Sequence, residues 1–221
     1  MRTIFIAGNW KMNNGPAATT DFMKKFTTAL KGSAEIMGNI ANKKIEVAVF
    51  APAISLTAAI DSRGDAPVII GGENAHWEKS GAFTGEISVP MLKEVGCTHV
   101  IIGHSERRHI FRETDEELHK KILAVLDGGL KPVLCVGELL EEREAGKAFD
   151  VIKKQLLSDL EAIEPQTVAD NIIIAYEPVW AIGTGKTASK EDAEEVCGYI
   201  RKLLSDSFGE GTAAKVLILY G

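Results

Sequence analysis

Four short stretches of the chain gather acidic, basic and imidazole side chains beside glycine, each just after an apolar, β-branched run. They are Gly8-Asn9-Trp10-Lys11-Met12, Gly72-Glu73-Asn74-Ala75-His76, Gly103-His104-Ser105-Glu106-Arg107-Arg108 and Tyr176-Glu177-Pro178-Val179-Trp180-Ala181-Ile182-Gly183-Thr184-Gly185. A carboxylate (Glu177), an imidazole (His104) and an ammonium (Lys11) are groups for acid–base chemistry at neutral pH. Glu177 closes an isoleucine-rich run, a place where an idle carboxylate is costly. A rival chemistry, phosphate cradling by a nucleotide P-loop, is raised by Gly185-Lys186-Thr187. That motif needs glycine five positions before Gly185, and Trp180 stands there. The P-loop reading fails on that residue. His99, inside an apolar run, reads as a core histidine. Arg107 and Arg108 read as structural ion-pairing residues, and His109 and His119 as solvated.

The elements that must position these groups follow from the hydrophobic pattern. Seven short runs, Ile4–Ala7, Ile45–Phe50, Val68–Ile70, His99–Ile102, Val133–Val136, Ile172–Ala175 and Val216–Leu219, are apolar without alternation. That pattern is expected of parallel strands covered on both faces. Amphipathic helical stretches lie between them. Phe22, Phe26, Ala29 and Leu30 share one face, as do Leu118, Ile122, Val125 and Leu126, then Ile152, Leu156, Leu160 and Ile163, and finally Val196, Cys197, Ile200, Leu203 and Leu204. Thr114 with Glu117, and Ser189 with Asp192, have capping-box spacing, and Gly128 marks a helix stop. Strand alternating with helix at intervals of roughly 20–45 residues predicts an α/β fold of the (β/α) barrel type, in which βα loops carry the site. No Gly-x-Gly-x-x-Gly follows the first strand, which argues against a dinucleotide fold. No linker interrupts residues 1–221, so one domain is expected.

Composition narrows the classes further. Hydrophobic residues at 45% and charged residues at 25% are the balance of a soluble protein with a real core. A net charge of −6 offers no basic excess for neutralising a nucleic-acid backbone. Cys97, Cys135 and Cys197 are odd in number and widely spaced, and point to reduced thiols in a cytoplasmic protein. No apolar run approaches the roughly 20 residues of a membrane span, and the N-terminus is too short for a signal-peptide core.

Three of the polar stretches carry a resemblance. Ala7-Gly8-Asn9-Trp10-Lys11-Met12, Ile102-Gly103-His104-Ser105-Glu106-Arg107-Arg108 and Ala175 through Gly185 closely resemble the triosephosphate isomerase family, in order and in spacing. The resemblance runs over essentially the whole chain. It implies interconversion of dihydroxyacetone phosphate and D-glyceraldehyde 3-phosphate through an enediolate, in glycolysis and gluconeogenesis, with no metal and no organic cofactor. The reaction needs a base for the carbon-bound proton, an electrophile for the carbonyl oxygen and a positive field at the developing anion. By resemblance, Glu177 is the base, His104 the electrophile, Lys11 the cation and Asn9 a hydrogen-bond donor beside it. Glu106 would hydrogen-bond near Lys11 and help shuttle protons. The pairing of a glutamate base with a neutral histidine at a helix N-terminus is the family's own known pattern, carried over here rather than deduced. Asn9, Lys11 and the backbone N–H of Gly183 would bind substrate, with residues 178–186 as a lid over it. The stretch from His76 to Glu86 resembles the loop through which the family forms homodimers, which would bring Thr84 near Asn9 and Lys11 of the partner subunit.

The sequence departs from the family at one place. It stops at Leu219-Tyr220-Gly221, at the end of the seventh strand, where the family continues with a second glycine, a serine, an eighth strand and a helix. The fold expected is therefore a (β/α)8 TIM barrel, here ending at its seventh strand, with the eighth β/α unit absent and the first and seventh strands left as edges. Without that unit, each missing charge-assisted hydrogen bond to the phosphate would cost about 1.5–3 kcal/mol. The alternative to an active isomerase is thus a catalytically impaired barrel fragment acting as a binding or assembly partner. A different sugar-phosphate barrel enzyme is a third reading, which the Pro178–Lys186 sequence opposes.

Overall fold

The structure is a computed structural model that describes residues 2–182, 185 and 187–221. It comprises two compact units, one made of residues up to Ile101 with Ala124–Lys131, the other of Ile102–Leu123 with Pro132–Gly221. The first contains β1 (Ile4–Asn9), α1 (Pro16–Gly32), α2 (Ala34–Ala41), β2 (Ile45–Ala51), a 3-10 turn at Ala53–Ser55, α3 (Leu56–Arg63), β3 (Ile69–Gly72), α4 (Val89–Glu94) and most of β4 (His99–Ile102). The second contains α5 (Ser105–His109), the first part of α6 (Asp115–Asp127), most of β5 (Lys131–Val136), α7 (Leu140–Glu144), α8 (Ala148–Asp159), α9 (Pro165–Asn171), β6 (Ile173–Tyr176), a 3-10 turn at Val179–Ala181, α10 (Lys190–Phe208), α11 (Glu210–Lys215) and β7 (Leu217–Tyr220). All seven expected runs are strands, with ends that differ from expectation by at most two residues.

In the first unit β1 pairs with β2, β2 with β3 and β3 with β4, every pair parallel. In the second, β6 lies parallel between β5 and β7. Chain order is strand order within each unit, as right-handed strand–helix–strand crossovers produce. The expectation of strands covered on both faces holds for β2, β4 and β5 but not for β1 or β7. Ile4 and Ile6, which share one face of β1, are 59% and 54% exposed, while Phe5 on the opposite face is buried.

Two helices begin at reciprocal side-chain caps. At α6, the Glu117 carboxylate accepts from the Thr114 N–H at 2.8 Å while Thr114 Oγ1 accepts from the Glu117 N–H at 3.3 Å. At α10, Asp192 and Ser189 make the same reciprocal pair at 2.9 and 3.0 Å. Each satisfies two amides that a helix start otherwise leaves open. Leu118, Ile122, Ile152, Leu156, Val196, Ile200 and Leu204 are fully buried, on the faces predicted from their spacing, whereas α1 buries Thr19, Met23, Thr27 and Leu30 and leaves Phe22 and Ala29 of its expected face exposed.

One close approach fixes the register of the first unit. Gly71 on β3 lies opposite Phe50 on β2 and His99 on β4. A Cβ at Gly71 would fall 2.4 Å from the Phe50 ring and 2.8 Å from the His99 carbonyl oxygen. The ring of Phe50, fully buried, thus occupies the volume a side chain would need. Gly71→Ala is expected to destabilise the protein by about 1–3 kcal/mol through this overpacking, read as a lower urea midpoint at unchanged slope. An unchanged midpoint would show that Phe50 moves aside at no cost.

Candidate functional site

The second unit assembles its site from two chain segments. β4 ends at Ile102, and Gly103 turns the chain with φ +74°, a left-handed conformation that glycine adopts without strain. His104 then caps α5. Its Nδ1 accepts the Glu106 N–H at 3.2 Å, and its Nε2 lies 3.0 Å from Glu177 Oε1. A backbone N–H can only donate, so Nδ1 carries no proton. The ring is then the neutral tautomer with its proton on Nε2, aimed at the carboxylate. The Glu106 carboxylate stands 3.6 Å from Nδ1.

Glu177 follows β6 and is tied on both sides. Its N–H donates to the Val136 carbonyl at 2.9 Å, and its Oε2 accepts the Ser105 N–H at 2.9 Å. Its backbone also passes so close to Gly137 that a Cβ there would meet the Glu177 carbonyl oxygen at 1.8 Å. Burial by itself would raise the Glu177 carboxyl. Its hydrogen bond and electrostatic contact with His104, together with the Ser105 donors, outweigh it and hold the group below the ordinary glutamate value of 4.5. The wholly buried Cys135 thiol, a further partner of this carboxylate, is pushed well above its usual range by burial and by the Glu177 charge. It stays a protonated donor rather than a reactive thiolate.

Beyond Glu177, Tyr176, Trp180 and Arg143 converge on Glu138. Glu138 Oε1 accepts from Tyr176 Oη at 3.1 Å, Trp180 Nε1 at 2.8 Å and Arg143 at 3.2 Å. The Arg143 guanidinium also lies 4.9 Å from the centre of the Trp180 ring. The start of the expected lid is therefore anchored through its tryptophan. Gly183, the expected substrate-binding amide, lies outside the described residues, as do Thr184 and Lys186.

Asn9 and Lys11 belong to the first unit, at the end of β1. Lys11 is half-buried, and its backbone has φ +54°, an uncommon conformation for a residue with a side chain, costing about 1–3 kcal/mol. Local hydrogen bonds enforce it. The Lys11 N–H donates to Asn9 Oδ1 at 3.0 Å, Asn13 N donates to the Lys11 carbonyl at 2.9 Å, and Asn13 Nδ2 to the Trp10 carbonyl at 2.8 Å. Strain of this kind is held where a side chain must be aimed.

The structure thus brings together His104, Glu106 and Glu177, and places Asn9 and Lys11 on one braced turn. Sequence reasoning missed Ser105 and Cys135 as partners of Glu177, and missed Glu138. Glu138 follows the buried run of β5 as Glu177 follows that of β6, so the signal used for one applied equally to the other. His99 is a core residue as expected, 7% exposed and against the Phe5 ring. Two expectations are corrected. His109 and His119 are half-buried, not solvated. His119 Nδ1 lies 3.1 Å from the Asp159 carbonyl, and His109 Nε2 is shielded from solvent.

Parallel strands alternating with helices, with acid–base groups just past the strand ends, define an enzyme-like α/β protein. The family model for triosephosphate isomerase matches residues 4–221. The triosephosphate isomerase of Alkaliphilus metalliredigens is 48% identical over the whole of this chain and 85% of its own length. Those of Dictyoglomus thermophilum and of Lactobacillus delbrueckii subsp. lactis are 47% and 46% identical, again over the whole chain and over 85% and 83% of theirs. The chain belongs to the triosephosphate isomerase family, and with it to the TIM-barrel fold class and to the isomerases.

The hydrogen bonds at Glu177 have a measurable consequence. A carboxyl with a depressed folded value contributes stability above its unfolded value, near about 4.3, and loses it as pH falls through the lower folded value. The 13C-carboxyl titration of Glu177, identified by its absence in Glu177→Gln, is expected to have a midpoint below 4.5. A midpoint above that would mean burial dominates and the His104 and Ser105 donors do not hold the anion.

Proposed function

We propose that this protein interconverts dihydroxyacetone phosphate and D-glyceraldehyde 3-phosphate by proton transfer through an enediolate, with Glu177 as the base. The contact of His104 Nε2 with Glu177 Oε1 at 3.0 Å carries the reading, together with the Nδ1 that accepts the Glu106 amide. A neutral imidazole with its free N–H beside a buried, fully charged carboxylate is what the chemistry requires. The carboxylate removes the carbon-bound proton, and the N–H polarises the carbonyl oxygen and then stabilises the enediolate. A cationic imidazolium would form a plain ion pair with Glu177 and leave it a poorer base.

The remaining roles follow the resemblance at matching residues. Lys11 supplies positive field to the phosphorylated substrate and its developing anion, with Asn9 as donor beside it. Glu106 assists proton shuttling next to His104. Gly183 contributes a backbone N–H to the phosphate. The whole chain forms one barrel domain that works in the cytoplasm as a homodimer. No helix among the described residues is long and apolar enough to cross a membrane. In support of the dimer, residues 78–86 are exposed, and among them Phe83, 42% exposed, lies against the His76 ring at 4.3 Å. Large rings presented on a loop tip are suited to burial by a partner.

A coupled assay on glyceraldehyde 3-phosphate tests the activity. Glu177→Gln is expected to abolish turnover, and Glu177→Asp, which withdraws the carboxylate by about 1 Å, to lower kcat on the order of 100-fold. Full activity in Glu177→Gln would refute the base. For the dimer, Phe83→Asp is expected to shift the sedimentation coefficient to that of a monomer at micromolar concentration. An unchanged dimer would remove this loop from the interface.

A further inference from the structure

A buried ion pair lies behind the site with no part in binding or proton transfer. Arg108, on α5, is 8% exposed, and Asp159, the last residue of α8, is fully buried. Arg108 Nη2 meets Asp159 Oδ2 at 2.5 Å, and Nη1 meets Asp115 Oδ1 at 3.0 Å. The other donors of the same fork go to backbone. Nε donates to the Gly103 carbonyl at 2.8 Å and Nη2 to the Cys135 carbonyl at 2.9 Å.

Those two carbonyls are each one residue from the machinery. Gly103 precedes His104. Cys135 precedes Val136, whose carbonyl receives the Glu177 N–H at 2.9 Å, and its own thiol is a partner of the Glu177 carboxylate. The guanidinium also fills the space above Gly103, where a Cβ would fall 2.7 Å from Nη2. One planar group therefore spans the backbone under the imidazole and the backbone under the carboxylate.

We propose that Asp159 is a positioning residue for the isomerase reaction, acting through Arg108 to set the distance between the His104 imidazole and the Glu177 carboxylate. Stability does not account for the pair. Asp159 Oδ1 is buried and finds no hydrogen-bond partner among the described residues, and buried ion pairs are generally no more stabilising than apolar side chains of the same volume. Such a pair does impose geometry. A guanidinium fork fixes both the direction and the spacing of the acceptors it joins, and Asp159 holds the same Nη2 that reaches the Cys135 carbonyl.

The inference rests on the isomerase reading, so its test has one arm that reads geometry and one that reads turnover. In protein labelled with 15N-histidine, the His104 Nε2–H resonance is expected to shift in Asp159→Ala and to return near its original position in Asp159→Asn, which keeps an acceptor for Nη2. In the same pair, kcat is expected to fall about tenfold in Asp159→Ala with KM within about twofold, and to recover to within about threefold in Asp159→Asn. Should Asp159→Ala not fold, Asp159→Leu takes its place, filling the volume without the charge. An unmoved His104 resonance, or an unchanged kcat, in the folded Ala or Leu variant overturns the proposal. So does an equal loss in Asp159→Asn. Absence of turnover on glyceraldehyde 3-phosphate by the unaltered protein would instead strike the isomerase reading, while the resonance still decides whether Asp159 positions His104.

Discussion

The site depends on one hydrogen bond that contains no catalytic atom transfer: the Glu106 amide donating to His104 Nδ1. An imidazole can be neutral or charged, and if neutral can hold its proton on either nitrogen. A main-chain donor fixed at the start of α5 settles both questions. The remaining proton must then point along Nε2 toward Glu177. The helix start thus acts on the chemistry through orbital occupancy as much as through field.

Glu177 answers the same constraint from the other side. A carboxylate in an apolar interior tends to take up a proton, and a protonated Glu177 would be no base. Two donors from the His104–Ser105 segment oppose this, so the segment proposed to polarise the substrate also keeps the proposed base charged. Acid and base roles are consequently not set independently. They share one turn of backbone, and Gly137 leaves the room for Glu177 to approach it.

Much of this was legible in the sequence, and for identifiable reasons. The seven strands showed because short β-branched runs free of alternation suit little besides a strand in a covered parallel sheet. The starts of α6 and α10 showed because Thr114–Glu117 and Ser189–Asp192 carry the spacing of reciprocal caps. His104 and Glu177 stood out as polar residues closing apolar runs. What stayed hidden depended on contacts distant in the chain. Nothing local in Asp159 announces Arg108, fifty-one positions away, and nothing in Cys135 announces a carboxylate on another strand. The exposure of Ile4 and Ile6 was half legible: β1 was expected as an edge strand, but which of its faces lies bare could not be read from an apolar run. His119 reads as a surface residue on a charged helix until the chain end of α8 is laid against it.

Arg143 joins two places that the sequence keeps apart. On one side its guanidinium meets Glu138 and the face of Trp180, which lies in the short turn after β6. On the other it pairs with Asp192, the residue whose carboxylate caps the start of α10. Trp180 and Ser189 are thereby moored to a common post. Replacing that single arginine would alter the footing upstream and the footing downstream of the intervening residues in one stroke, so its loss would read out as a coupled change at both ends rather than as a local one.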